Sequence, residues 1–120
     1  MSTVKPRLDY VELPNPAGDK AKTFYEAAFG WRLTEFGPTY AATTTGDVDI
    51  GLQADLSAAA KAPLPVVQVA DLEASADAVA KAGGTIVRPI YAFPGGRRFH
   101  FRDPAGNELA VWQAAAHSGA

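Results

Sequence analysis

The residues able to carry chemistry are few. The chain has two histidines and no cysteine, which removes thiol nucleophiles, thiolate metal sites and disulfides together. His100 is therefore the main candidate for taking up and releasing a proton near neutral pH. His117 lies in an Ala-rich tail and is read as inert. Glu12 is the second candidate acid–base group, although the sequence by itself assigns His100 no partner. Tyr10, Tyr40 and Trp112 offer ring faces to a flat organic molecule. Gln68 offers an amide, and Arg98 is a natural anchor for a carboxylate or phosphate. Each residue type also has an ordinary use: a hydrogen-bonded strand carboxylate, a core aromatic, a surface arginine. No Ser-His-Asp arrangement, P-loop or dinucleotide fingerprint accompanies them.

Strands must position these groups. Arg97–Gln113 reads RRFHFRDPAGNELAVWQ. In it Arg98, His100 and Arg102 alternate with Phe99 and Phe101, and Glu108, Ala110 and Trp112 alternate with Leu109 and Val111. Such alternation marks strands with two unlike faces, and Asp103–Asn107 between them has turn chemistry, so the segment is read as a β-hairpin. A strand over residues 8–14 puts Tyr10 and Glu12 on one face and Val11 and Leu13 on the other. A helix follows, with Ala21, Phe24, Tyr25 and Ala28 as its apolar stripe and Gly30 as its stop. Strands are expected over Trp31–Phe36, Tyr40–Thr45 and Val48–Gln53. Residues 54–63 suit a linker. The pattern then restarts with a strand over Leu64–Ala70, an Asp71 cap, a helix over Leu72–Ala82 and a strand over Thr85–Ile90. A loop containing Pro94-Gly95-Gly96 leads into the hairpin.

That restart is an internal repeat. Tyr10 to Gly30 and Leu64 to Gly84 span the same 20 residues, and GDVDIGLQ at 46–53 resembles GNELAVWQ at 106–113. The fold class is therefore α+β, with two βαβββ repeats over about 8–53 and 64–113 in a single 1–120 domain. Neither half carries enough apolar side chains for a core of its own, so the two are expected to pair. Hydrophobic content of 48%, charged content of 20% and a net charge of −2 are ordinary for a soluble globular chain. Scattered Lys and Arg argue against nucleic acid. No apolar run approaches the ~18 residues that span a bilayer, and Met1-Ser2-Thr3 leads into no apolar leader segment. The expected setting is the cytoplasm.

Two segments carry a family resemblance: Thr23–Trp31 (TFYEAAFGW) and Phe101–Asn107 (FRDPAGN). With the duplicated βαβββ pattern, they resemble the vicinal oxygen chelate superfamily of glyoxalases, extradiol dioxygenases, bleomycin-binding proteins and fosfomycin-resistance enzymes. The resemblance covers roughly residues 8–113. It implies a curved mixed sheet with a concave cleft onto which Tyr10, Glu12, Gln68, Arg98, His100, Glu108 and Trp112 converge, and it implies a homodimer. It also places the superfamily's metal ligands at Tyr10, Leu64 and Ala110, none of which is the expected donor. No cofactor is therefore expected. The alternative is an atypical divalent site built from Glu12, Gln68, His100 and Glu108. The expected function is a glyoxalase- or bleomycin-resistance-like protein that binds a small organic molecule without the usual metal. The alternative is an enzyme of the superfamily, of lyase, dioxygenase or thiol-transferase type, using an atypical metal or metal-free acid–base chemistry from His100 and Glu12.

Overall fold

A computed structural model describes residues 5–115. The chain divides into two units, one of residues 9–64 and one consisting chiefly of residues 65–115. Each carries one β-α-β-β-β run, as the repeat predicts. Among the described residues no helix is long and apolar enough to cross a membrane.

The first unit contains β1 (Arg7–Pro14), α1 (Asp19–Phe29), β2 (Thr34–Glu35), β3 (Tyr40–Ala42) and β4 (Asp49–Gln53). Its strand order is β2-β3-β4-β1. β4 pairs parallel with β1 and antiparallel with β3, so Gly51 lies between Glu12 and Ala42. Asn15 organises the entry to α1, its side chain accepting from Ala17 N (3.1 Å) and donating to Gly18 O (3.0 Å). Gly30 ends the helix at φ 70°, its N–H reaching Glu26 O at 3.0 Å, a left-handed stop that glycine takes without a Cβ clash. Leu33, Ala41 and Leu52 form the core, with Ala21 and Tyr25 of α1 packed against them. The expected stripe is thus only half used. Ala21 and Tyr25, one helical turn apart, face the sheet, whereas Phe24 is 58% exposed and Ala28 is exposed too. β2 and β3 are also shorter than the alternation suggested.

The second unit contains β5 (Leu64–Gln68), α2 (Leu72–Lys81), β6 (Thr85–Phe93), β7 (Gly96–Arg102) and β8 (Glu108–Ala114). Its order is β5-β8-β7-β6, with β5 parallel to β8 and the other pairs antiparallel. Asp71 caps α2 as predicted, accepting from Ala74 N at 3.0 Å. Gln113 of β8 adds a second tie, its side-chain oxygen accepting from Leu72 N at 2.9 Å. Phe99, Leu72, Val69 and Val111 form the core between helix and sheet. The 103–107 turn is held by Asp103, whose carboxylate accepts from the N–H groups of Ala105 and Asn107, both at 2.9 Å. One boundary moves. β6 continues three residues past Ile90, and the expected Pro94-Gly95-Gly96 loop contracts to a two-residue turn, Pro94-Gly95.

Candidate functional site

Strand parity decides which side chains meet. In the second unit Phe99 and Val111 point to α2, so Arg98, His100, Glu108, Ala110 and Trp112 occupy the opposite face. Val66 and Gln68 share that face through their pairing with Ala110 and Trp112. Val66, His100 and Ala110 are 3%, 3% and 0% exposed and form a floor. Gln68, Tyr91, Arg98, Glu108 and Trp112 are half-buried around it.

His100 is the hub. Its Nδ1 lies 2.8 Å from Glu108 Oε2 and its Nε2 lies 3.0 Å from the Tyr91 hydroxyl. Burial pushes the imidazole below its ordinary value of 6.5, the Glu108 hydrogen bond pulls it back up, and Arg98 and Arg88 push it down again. The net direction is down, so the ring is neutral at pH 7. A carboxylate only accepts, which assigns the single ring proton to Nδ1 and leaves Nε2 to accept from Tyr91 O–H. Arg98 Nε donates to the Tyr91 oxygen, consistent with their cross-strand pairing. Donors and acceptors therefore run in one direction: Arg98 N–H to Tyr91 O, Tyr91 O–H to His100 Nε2, His100 Nδ1–H to Glu108. The Arg88 guanidinium lies 3.9 Å from the centroid of the Tyr91 ring, close enough for a cation–π attraction. Phe93 lies 6.2 Å from the Trp112 ring, with the Arg98 guanidinium 5.7 Å from the Phe93 centroid.

Tyr91, Phe93 and Arg88 were not among the candidates read from sequence. Their signal was the alternation of Tyr91 and Phe93, masked by Pro89, a residue that normally ends or edges a strand. The structure accommodates Pro89 in β6 within the second of two register shifts, at Ile86/Arg88 and Arg88/Tyr91. Glu108, with a side chain 30% exposed, is paired with His100 rather than simply solvated. The two adjacent arginines separate: Arg97 turns to α2 and forks onto Glu73, one arm at 3.1 Å, while Arg98 joins the opposite face.

The first unit brings together Tyr10, Glu12 and Tyr40, on the face opposite α1. The Tyr10 and Tyr40 hydroxyls are hydrogen-bonded to one another, and Tyr40 donates to Glu12 Oε2 at 3.2 Å. Burial, then the proximity of Tyr10 and Glu12, raises the Tyr40 phenol far above its ordinary value, so it stays a protonated donor. Glu12 itself is 4% exposed. Gly51 makes this cluster possible. A Cβ there would overlap both hydroxyls and come within 2.7 Å of Tyr40 Cζ.

The donor chemistry for a divalent cation is poor at the positions the resemblance designates. The Tyr10 hydroxyl is engaged by Tyr40, and Leu64 and Ala110, 2% and 0% exposed, have no side-chain donor. Among the described residues no three His, Cys, Asp or Glu side chains cluster in a way that could hold a metal. These residues do not fit the metal-ligand set of the resemblance.

The model of the Glyoxalase/Bleomycin resistance protein/Dioxygenase superfamily matches residues 7–111. The chain belongs to this superfamily. It is 28% identical, over 93% of its length, to the proteins named "Putative glyoxylase CFP32" in Mycobacterium bovis and Mycobacterium tuberculosis. It spans about half the length (47%) of those relatives. Among solved structures, methylmalonyl-CoA epimerase from Mycobacterium tuberculosis matches with a TM-score of 0.71 at 17% identity, over 91% of this chain and 88% of that one. A glyoxalase/bleomycin resistance protein/dioxygenase superfamily member from Vibrio splendidus matches at 0.66 and 15% identity, over 92% of this chain and all of that one. At such identities these structures show a shared α+β glyoxalase-like fold, and the superfamily's reactions do not transfer with it.

Proposed function

We propose that this glyoxalase-superfamily chain binds a small planar organic anion, of the aromatic carboxylate class, on the sheet face of the second unit opposite α2, without a metal. The observation that carries this reading is the pairing of Arg98 with Trp112 over a buried floor, with Tyr91 and Phe93 beside them. Arg98 supplies the charge, the rings supply apolar walls, and Gln68 supplies an amide at the edge. In the first unit Tyr10 and Tyr40 remain candidate ligand contacts, with Glu12 a candidate acid–base group acting through Tyr40.

The test is calorimetric titration with phenylacetate and phenylpyruvate, read in parallel by Trp112 fluorescence in a Trp31→Phe background. Saturable binding at or below about 1 mM is expected. Loss of a charge-assisted hydrogen bond in Arg98→Met is expected to weaken it on the order of tenfold or more. Trp112→Ala is expected to weaken it as well. Absence of saturable binding, or equal affinity in both variants and wild type, refutes the reading. Tyr10→Phe and Glu12→Gln in the same titrations decide the first unit's part. Pairing of two copies is a separate proposal. Sedimentation at the mass of one 12.6 kDa chain overturns it.

A further inference from the structure

A tyrosine hydroxyl that serves only to pack needs one hydrogen-bond partner. Tyr91 is held differently. Its oxygen accepts from Arg98 Nε and its proton is directed at His100 Nε2, 3.0 Å away. His100 is in turn fixed by Glu108 at 2.8 Å. A hydroxyl, a neutral imidazole and an orienting carboxylate in series form the arrangement that moves a proton off an oxygen in nucleophile–base triads. Two guanidiniums attend the ring: Arg88 lies 3.9 Å and Arg98 5.5 Å from its centroid. Tyr91 is half-buried whereas His100 is almost fully covered, so of the two it is the tyrosine that a molecule resting on this face can meet.

We propose that Tyr91 is a proton-transfer residue serving this face, and that the chain interconverts the keto and enol forms of a small carbonyl acid bound there. The proposal rests on the reading of this face as the ligand site. In the forward step the substrate C–H next to the carbonyl gives its proton to Tyr91 Oη as the tyrosine's own proton passes to His100 Nε2. The C–H electron pair becomes the C=C bond and the carbonyl oxygen takes the negative charge, which Arg98 and Arg88 are placed to balance. The imidazolium is held by Glu108. Return of that proton through Tyr91 to the enolate oxygen gives the enol, and return to carbon restores the ketone. Nothing is oxidised or reduced and no further reactant is consumed. Tyr91 is the group that touches substrate, while His100 and Glu108 act through it.

The probe is phenylpyruvate in D2O, with deuterium uptake at its methylene carbon followed by proton NMR. General acid–base catalysis of this kind supplies about 10²–10⁴-fold, so exchange roughly a hundredfold above the buffer blank is expected. Tyr91→Phe is expected to return exchange to the blank rate while phenylpyruvate still binds. Glu108→Gln is expected to slow exchange about tenfold with an unchanged Kd, a split that a merely structural role does not produce. Phenylpyruvate that binds but exchanges at the blank rate overturns the relay and leaves the binding reading standing. If phenylpyruvate does not bind, acetylation by N-acetylimidazole decides the relay alone, and the binding reading fails if phenylacetate does not bind either. Tyr91 is expected to be acetylated faster than the half-buried Tyr25, and to lose that advantage in His100→Ala. A Tyr91 that reacts no faster than Tyr25, in protein whose circular dichroism shows it folded, overturns the proposal.

Discussion

Replacing Gly51 by alanine is expected to dismantle the tyrosine–carboxylate cluster of the first unit. The position lies in β4 between Glu12 of β1 and Ala42 of β3, under the Tyr10 and Tyr40 hydroxyls, and an added Cβ would overlap both. Either the rings tilt away or the strands part. Overpacking of this kind costs about 1–3 kcal/mol. Tilting Tyr40 also removes a donor from Glu12, which is 4% exposed, and leaving a buried hydrogen-bonding group unsatisfied costs about 1–3 kcal/mol. The ring movement that relieves the overlap is the one that breaks the bond, so the two costs do not add in full. A loss of about 3 kcal/mol is expected, on the order of 10 °C in melting temperature for a chain of this size. Urea unfolding of wild type, Gly51→Ala, Tyr10→Phe and the double variant measures it. Removing the Tyr10 hydroxyl vacates part of the overlap, so the double variant is expected to recover about 1 kcal/mol relative to additivity. A Gly51→Ala cost under about 0.5 kcal/mol, or an additive cycle, would refute the close packing on which the cluster depends.

Other outcomes follow from the same contacts. Asp49, buried in β4, accepts from Thr43 Oγ1 (2.7 Å), Thr45 N and Oγ1 (both 2.8 Å) and Gly46 N (3.0 Å); burial pushes its carboxyl up, and these bonds together bring it below its ordinary 3.8. Its contribution is therefore complete above about pH 4 and lost as pH falls through the depressed value, so Asp49→Asn is expected to flatten the acid limb of the urea midpoint against pH. The lowered His100 value has the corresponding sign: below its ordinary 6.5 the unfolded chain binds a proton that the fold resists, so stability falls as pH drops below that value, and His100→Gln is expected to remove that slope. Thermal-shift titration with Mn²⁺, Fe²⁺, Ni²⁺ and Zn²⁺ is expected to give no saturable rise, because a cation bound to the native state must raise the melting temperature; a saturable rise lost in His100→Ala or Glu12→Gln would locate the atypical site instead.

Much of the fold was legible because its signals are local. Alternation in 97–102 and 108–113 assigned Arg98, His100, Glu108, Ala110 and Trp112 to one face, and Gly30 and Asp71 marked helix ends by chemistry that acts within one turn. The offset between the halves set out two βαβββ runs, and residue types alone showed that positions 64 and 110 bring no metal donor. What each side chain on a face would touch was not local. Tyr91 entered the site because β6 runs through Pro89 with two shifts of register before Tyr91 comes opposite Arg98. Tyr40 reached Glu12 across 28 residues of sequence. Parity along a strand repeats every two residues and is written in the sequence. Partners across strands depend on register, bulges and the room left by a glycine such as Gly51, and those are settled only when the strands pair.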